Sequence, residues 1–368
     1  MKRSCMRSAL TACLLSLSLA GHAEPEPGAQ PKPDAAADQQ RWAAFPVIAS
    51  SPETGQMLGG MLFYFFPADG PGKQASTIDT MLFGTTKGQY ALQISPNVFF
   101  DAGRYRLNAM VSRSLWQANY YGIGADSPDV ADKYKSSLLQ GSLTLERRFN
   151  ETFVLDILGV FDKSRTTLQG GGLLETGRVP GSTDGTYNGM GVEGGYDTRD
   201  NTNSPTEGVV ARYRYVNYTA GLGSDLAFSQ QNWDFRYFRK TDVVRDSVLA
   251  LAATVRRAYG DVPFRYLSSP DGTLILRGIE NGRYRDNDML ALQSELRAPI
   301  HGRFSGTVFA EAAKVAPTLG DMGASRLIAS VGVGFRYALN PSQRFNVRAD
   351  VAWVDHGMNG IINVREAF

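Results

Sequence analysis

From Arg41 to Phe368 apolar and polar residues alternate at every second position, in segments of about ten residues, the length of a tilted strand crossing a bilayer. In Arg344 to Trp353, residues Phe345, Val347, Ala349, Val351 and Trp353 share one face, and Arg344, Asn346, Arg348 and Asp350 share the other. One face suits lipid and the other a wet lumen. Ser330 to Leu339 and Arg104 to Ser112 repeat the pattern. It predicts strands at 43–50, 56–66, 76–86, 88–100, 103–114, 134–149, 151–165, 187–197, 207–219, 226–239, 246–259, 289–299, 303–314, 327–339, 343–355 and 360–368. The expected fold is all-β, a transmembrane antiparallel β-barrel of about 16 strands, an even number as in bacterial barrels. A soluble sandwich also alternates, but its apolar face turns inward and its strands have a mode of about five or six residues.

The connections carry a second regularity. With the N-terminus on the periplasmic side, Asp101-Ala102, Asn150, Ile300-His301-Gly302 and Asn340-Pro341-Ser342 are tight periplasmic turns. The long connections near 115–133, 166–186, 260–288 and 315–326 then all fall outside. Short inner turns and long outer loops are the barrel pattern.

The start of the chain reads as export machinery. Met1-Lys2-Arg3 and Arg7 form a basic region, Ala9 to Ala20 is a weakly polar to apolar run, and Gly21-His22-Ala23 puts small residues where a signal peptidase reads. Residues 1–23 are expected to be a signal peptide, too short for a membrane helix. Leu10-Thr11-Ala12-Cys13 also fits a lipobox, but that reading strands the apolar residues after the cysteine. Both cysteines, Cys5 and Cys13, lie in this segment, so the exported chain has no thiol, which suits an oxidising envelope compartment. Residues 24–40 are rich in Pro, Ala and Gln without apolar period and are expected to be a flexible periplasmic leader, followed by the barrel over 41–368.

Charge narrows the function classes. The balance of 38 basic against 36 acidic residues argues against a nucleic-acid partner, which would call for a basic excess on one element. The slightly polar average hydropathy hides a barrel, because only alternate residues face lipid. No enzyme activity, cofactor or metal is expected: His22 lies in the signal, His301 in a tight turn and His356 in the last loop, none with a catalytic or metal-ligand spacing. Gly170-Gly171-Gly172 lacks the strand-to-helix context of a phosphate cradle.

The longest connection, between Gly260 and Met289, draws attention because loops of that length in a compact fold are usually functional. It contains Leu276-Arg277-Gly278-Ile279. Two other segments stand out: Tyr196-Asp197-Thr198-Arg199-Asp200-Asn201 with Pro205 and Gly208, and Phe309-Ala310-Glu311-Ala312-Ala313-Lys314-Val315. Together these resemble the bacterial surface antigen superfamily of outer-membrane assembly and translocation barrels, of the BamA/TamA type. Leu276 to Ile279 matches the apolar-Arg-Gly-aromatic pattern before the twelfth strand, with Ile279 in the aromatic's place. Asp197 to Gly208 matches the periplasmic turn between the eighth and ninth strands, although Asp, Asn, Pro and Gly serve any turn. Phe309 to Val315 resembles the thirteenth-strand motif, with Glu and Ala where Asp and Gly are usual.

The resemblance implies a loop tucked into the lumen whose Arg277 pairs with acidic groups on the last strands. Parity puts Glu295, Arg297, Glu311, Arg336, Arg348 and Asp350 on the inner wall, so Glu311, Asp350 and Glu295 are the candidate partners. Alternation alone demands polar residues there, so a merely solvated lumen is the alternative. The last strand closes on Phe368, expected to be either the C-terminal address for outer-membrane assembly or a girdle aromatic.

Members of this superfamily that handle proteins carry periplasmic POTRA domains ahead of the barrel, and here only 24–40 precede the first strand. The expected partners are outer-membrane lipid and lipopolysaccharide, with receptor function supplied by a separate periplasmic chain; no residue names a client. Three functions stay open: an assembly or translocation barrel working through a weak seam between first and last strands, a passive channel, and a structural surface protein.

Overall fold

The computed structural model describes residues 41–51, 55–66, 76–170, 172–341, 344–355 and 357–368. The expected signal peptide and leader, and His356, lie outside the described residues. The strands are β1 (Trp42–Ser51), β2 (Gly55–Phe65), β3 (Thr77–Thr85), β4 (Tyr90–Phe100) and β5 (Tyr105–Tyr120). Then come β6 (Asp132–Arg148), β7 (Phe153–Leu168), β8 (Gly185–Asp197), β9 (Gly208–Tyr218), β10 (Phe228–Thr241) and β11 (Ser247–Gly260). The last five are β12 (Asp288–His301), β13 (Phe304–Ala316), β14 (Ile328–Asn340), β15 (Phe345–Val354) and β16 (Gly357–Val364).

Each strand pairs antiparallel with its neighbour in sequence, giving one 16-stranded sheet in the order β1 to β16. Among the described residues no ladder joins β1 to β16. Every segment expected from alternation is a strand, because side chains of period 2 can serve a lipid face and a lumen face only in extended backbone. Outward positions such as Leu58, Val111, Ile157, Leu292, Val331 and Ile362 are exposed, whereas Glu146, Asp162, Glu295, Arg336 and Arg348 are buried.

Several boundaries differ from the alternation. β5 and β7 run to Tyr120 and Leu168, beyond the expected ends at 114 and 165, because the β5–β6 and β6–β7 ladders continue to Tyr120↔Asp132 and Tyr134↔Leu168. Tyr120 and Tyr134 pack there on Phe264.

A further difference is at the C-terminus, where β16 stops at Val364 instead of running to 368. Arg365 takes φ 62°, which turns the chain inward. Glu366 meets Arg336 at 2.9 Å and accepts from Asn346 Nδ2 at 2.9 Å. Phe368 is therefore no girdle aromatic: it is buried beside Phe238, Ala250 and Ala252, and its carbonyl oxygen accepts from Arg297 at 3.0 Å.

Candidate functional site

The connection between β11 and β12 folds into the lumen. Asp271 starts the fold, its Oδ1 accepting from the backbone N–H of Thr273 at 2.7 Å and of Leu274 at 2.9 Å, the local turn that Asp favours. Asn281 Oδ1 accepts from Gly272 N–H at 2.8 Å, and Gly278 N–H donates to Gly272 O at 3.0 Å, closing the loop on itself. Its apolar residues Ile275, Leu276 and Tyr284 are buried against Met289, Ala291, Ala313, Val315 and Ile328 of the wall, with Ile279 packed alongside.

Arg277 is fully buried. Its backbone N–H and its Nε donate to the two oxygens of Glu311 at 2.6 and 2.7 Å. Its Nη1 lies 2.8 Å from Glu295 and 3.2 Å from Asp350. The Glu295 contact is an ion pair, without the linear geometry of a hydrogen bond. Ser330 Oγ donates to Arg277 O at 2.6 Å, and the guanidinium sits 3.4 Å from the ring centre of Phe309. Thus all three acidic residues proposed from the sequence surround Arg277, on β12, β13 and β15.

These residues belong to a larger array. Arg277, Arg297, Arg336 and Arg348 alternate with Glu295, Glu311, Asp350 and Glu366, and all eight are buried. Four cations against four anions leave no net charge in the array. Neutrality is what permits such burial, since an unpaired ion away from water costs several kcal/mol.

Two glycines make the geometry possible. Gly278 has φ 93°, and a Cβ there would lie 2.8 Å from Ala352 Cβ, so the loop backbone rests directly on β15. Gly332, opposite Phe309 on β14, would put a Cβ 2.2 Å from the Phe309 ring that carries Arg277. Gly278 O also accepts from Asn359 Nδ2 of β16 at 2.6 Å.

The far side of the loop is tied to the opposite wall. Glu280 accepts from Asn119 at 2.8 Å and from Tyr121 at 2.6 Å. Arg283 donates to Ser127 Oγ and Asp129, each at 2.7 Å, in the β5–β6 connection. Tyr266 OH donates to Asp162 of β7 at 2.8 Å. The loop therefore spans the lumen as a plug, bonded to β5–β7 on one side and β12–β16 on the other.

Ser330, Asn359 and the Glu280 and Arg283 contacts were not singled out from sequence, and Phe309 stood out only as the first residue of the thirteenth-strand motif. Phe309 carried a signal, since parity places this aromatic on the wet face. The others depend on how the loop is seated, which alternation does not encode.

The β8–β9 turn closes the opposite end. Asp197 accepts from Arg199 Nε at 2.9 Å, and Asn201 Oδ1 accepts from the N–H groups of Asn203 and Ser204 at 2.8 and 2.9 Å. Gly208, φ 117°, begins β9. Contacts reach beyond the turn: Asp200 pairs with Arg344 in the β14–β15 turn, and Pro205 O accepts from Arg297 at 3.5 Å. Burial works to raise the Asp200 pKa, but hydrogen bonds from Thr206 and Arg344 and two backbone N–H groups outweigh it and hold the carboxyl below the usual aspartate range. A depressed carboxylate stabilises fully above its unfolded pKa of about 4 and loses that contribution progressively as pH falls from there through its lower folded pKa. Protease nicking of the turn is therefore expected to rise as pH drops from about 4 toward 2, and Asp200→Asn to remove that dependence. A nicking rate equally pH-dependent in the variant would refute the assignment.

An antiparallel wall of alternating faces with a charged loop seated across its lumen defines a plugged outer-membrane-type β-barrel. The Omp85 superfamily domain matches residues 79–360, and the chain belongs to that family. Among solved structures it is similar to BamA from Haemophilus ducreyi lacking POTRA domains 1–3, with TM-score 0.60 and 16% identity over 89% of this chain and 69% of that one. It is also similar to CdiB from Acinetobacter baumannii, with TM-score 0.56 and 14% identity over 88% of this chain and 60% of that one. The chain thus spans less than two thirds of the CdiB chain. No protein of curated function matches it in sequence.

Proposed function

We propose that this barrel acts in assembly or translocation at the outer membrane, working on lipid or protein through the seam between β1 and β16, with client reception supplied by a separate periplasmic chain. The observation that carries the reading is the open seam: the sheet order ends at β1 and β16, while the plug bonds directly to β12–β16. None of the plug contacts described above reaches β1–β4. Gly59 and Gly60 lie in the β1–β2 ladder beside the seam, where Gly weakens strand pairing. A passive channel fits less well, because the plug crosses the lumen.

Depletion of the protein, followed by outer-membrane proteomics and an assay of surface-exposed phospholipid, tests this. Altered abundance of a subset of outer-membrane proteins, or loss of lipid asymmetry, is expected. An unchanged membrane would refute the proposal and leave a structural surface protein.

A further inference from the structure

The outward face of β5–β7 changes character along its length. Near the periplasmic end Phe153 and Tyr196 form an exposed aromatic pair, 5.0 Å between ring centres. Above it come exposed Leu155, Ile157 and Phe161 on β7, Leu145 and Leu143 on β6, and Leu107 and Val111 on β5. Beyond this belt the outward positions become Arg113 on β5, Lys135 and Lys133 on β6, and Lys163 and Arg165 on β7. Their orientation follows from their neighbours, since Tyr134, Ser136, Asp162 and Ser164 are all buried in the lumen.

Height can be reckoned from strand geometry. From Phe153 to Lys163 the strand climbs about 34 Å along its axis, hence about 26 Å along the membrane normal at a tilt near 40°. A lipid-facing apolar band is about 25 Å tall. Lys163 therefore emerges at the outer headgroup level, Arg113 reaches it by extending its stem upward, and the other cations lie at or above it.

Ladder register sets the spacing. Arg113 and Lys163 flank Leu139 on the two adjacent strands, so they stand about 10 Å apart. Lys163 and Arg165, like Lys133 and Lys135, are about 7 Å apart. Arg165 contacts Asp184 at 3.1 Å, but both side chains are largely exposed and the pair is weak. Elsewhere on this rim Tyr259, Leu327 and Trp353 are apolar or aromatic, Arg257 is held by Asp288 at 3.0 Å, and Arg326 is paired with Asp355.

We infer that the outer ends of β5–β7 form a binding site for the phosphorylated headgroup of an outer-leaflet glycolipid, that is, lipopolysaccharide. Five outward cations on three adjacent strands, at headgroup height, supply the charge and spacing that a multiply phosphorylated headgroup needs, and phosphate is the anion that Lys and Arg hold at a membrane surface. The inference rests on the outer-membrane reading and on the orientation with 261–287 outside. Labelling a Val130→Cys variant on intact cells with an impermeant maleimide checks that orientation independently.

The full-length protein in detergent is titrated with lipopolysaccharide, with phosphatase-treated lipopolysaccharide and with phosphatidylglycerol vesicles. The combined variant Arg113→Gln, Lys135→Gln, Lys163→Gln and Arg165→Gln is expected to bind intact lipopolysaccharide roughly a hundredfold more weakly, with heat-modifiable gel mobility confirming its fold. Its Lys and Arg positions exchanged for one another, Arg113→Lys with Lys163→Arg, should bind within a few-fold of wild type, and so should Arg147→Gln at the periplasmic end. Affinity retained by the combined variant, equal binding of the dephosphorylated lipid, or equal binding of phosphatidylglycerol would each overturn the site.

Discussion

Arg277→Ala is expected to cost about 3–5 kcal/mol of barrel stability, the range for removing one partner of a buried ion array. The compact band on semi-native gels should then melt at a markedly lower temperature. The size follows from what the substitution leaves behind. Glu311, Glu295 and Asp350 stay buried, Glu311 loses the Nε donor at 2.7 Å, and the neutral array acquires a net negative charge. Arg277→Lys should recover only part of the loss, because an ammonium cannot present the planar fork or stack as well on Phe309. Arg199→Ala should cost less, since Arg199 pairs with Asp197 two residues away in a turn partly open to water. Equal losses for Arg277→Ala and Arg199→Ala would sink the claim that the plug contact is special.

Replacing residues 262–286 by a short Gly-Ser linker is expected to turn a poorly conducting protein into one with large, steady conductance in planar bilayers. Barrels of 16 to 18 strands enclose a water-filled lumen unless something fills it. Here the filling is this loop, bonded at Glu280, Arg283 and Tyr266 to one wall and at Arg277 and Gly278 to the other. Arg277→Ala alone should raise conductance partway, because the Arg283 and Tyr266 contacts persist. A wild-type protein that already conducts steadily, unchanged by the deletion, would restore the passive-channel reading.

The wall was legible in the sequence because its rule is local. Each strand obeys period 2, and the parity that puts Val351 and Trp353 outside puts Arg348 and Asp350 inside. The same parity placed Glu295 and Glu311 where Arg277 could find them. What lay beyond reach was set by contacts remote in sequence. Nothing near Phe368 announces that Arg365 turns the chain inward, since the partners that hold the tail, Arg297 and Arg336, lie on β12 and β14. Likewise Asp200 looked like an ordinary turn residue, and its partner Arg344 is 144 positions away. The seating of the loop required knowing both walls at once.

The seam and the plug together dictate an order of construction. Every ladder of the wall joins strands adjacent in sequence, so the sheet can grow hairpin by hairpin as the chain arrives. The plug cannot: Arg277 meets Asp350 across 73 positions, and Arg283 meets Ser127 across 156. A chain halted just before β12 would already possess the loop and half its anchors, yet have no carboxylates to receive Arg277. The stopper of this vessel is thus made before the mouth it fits, and it can be driven home only by the strands that finish the wall.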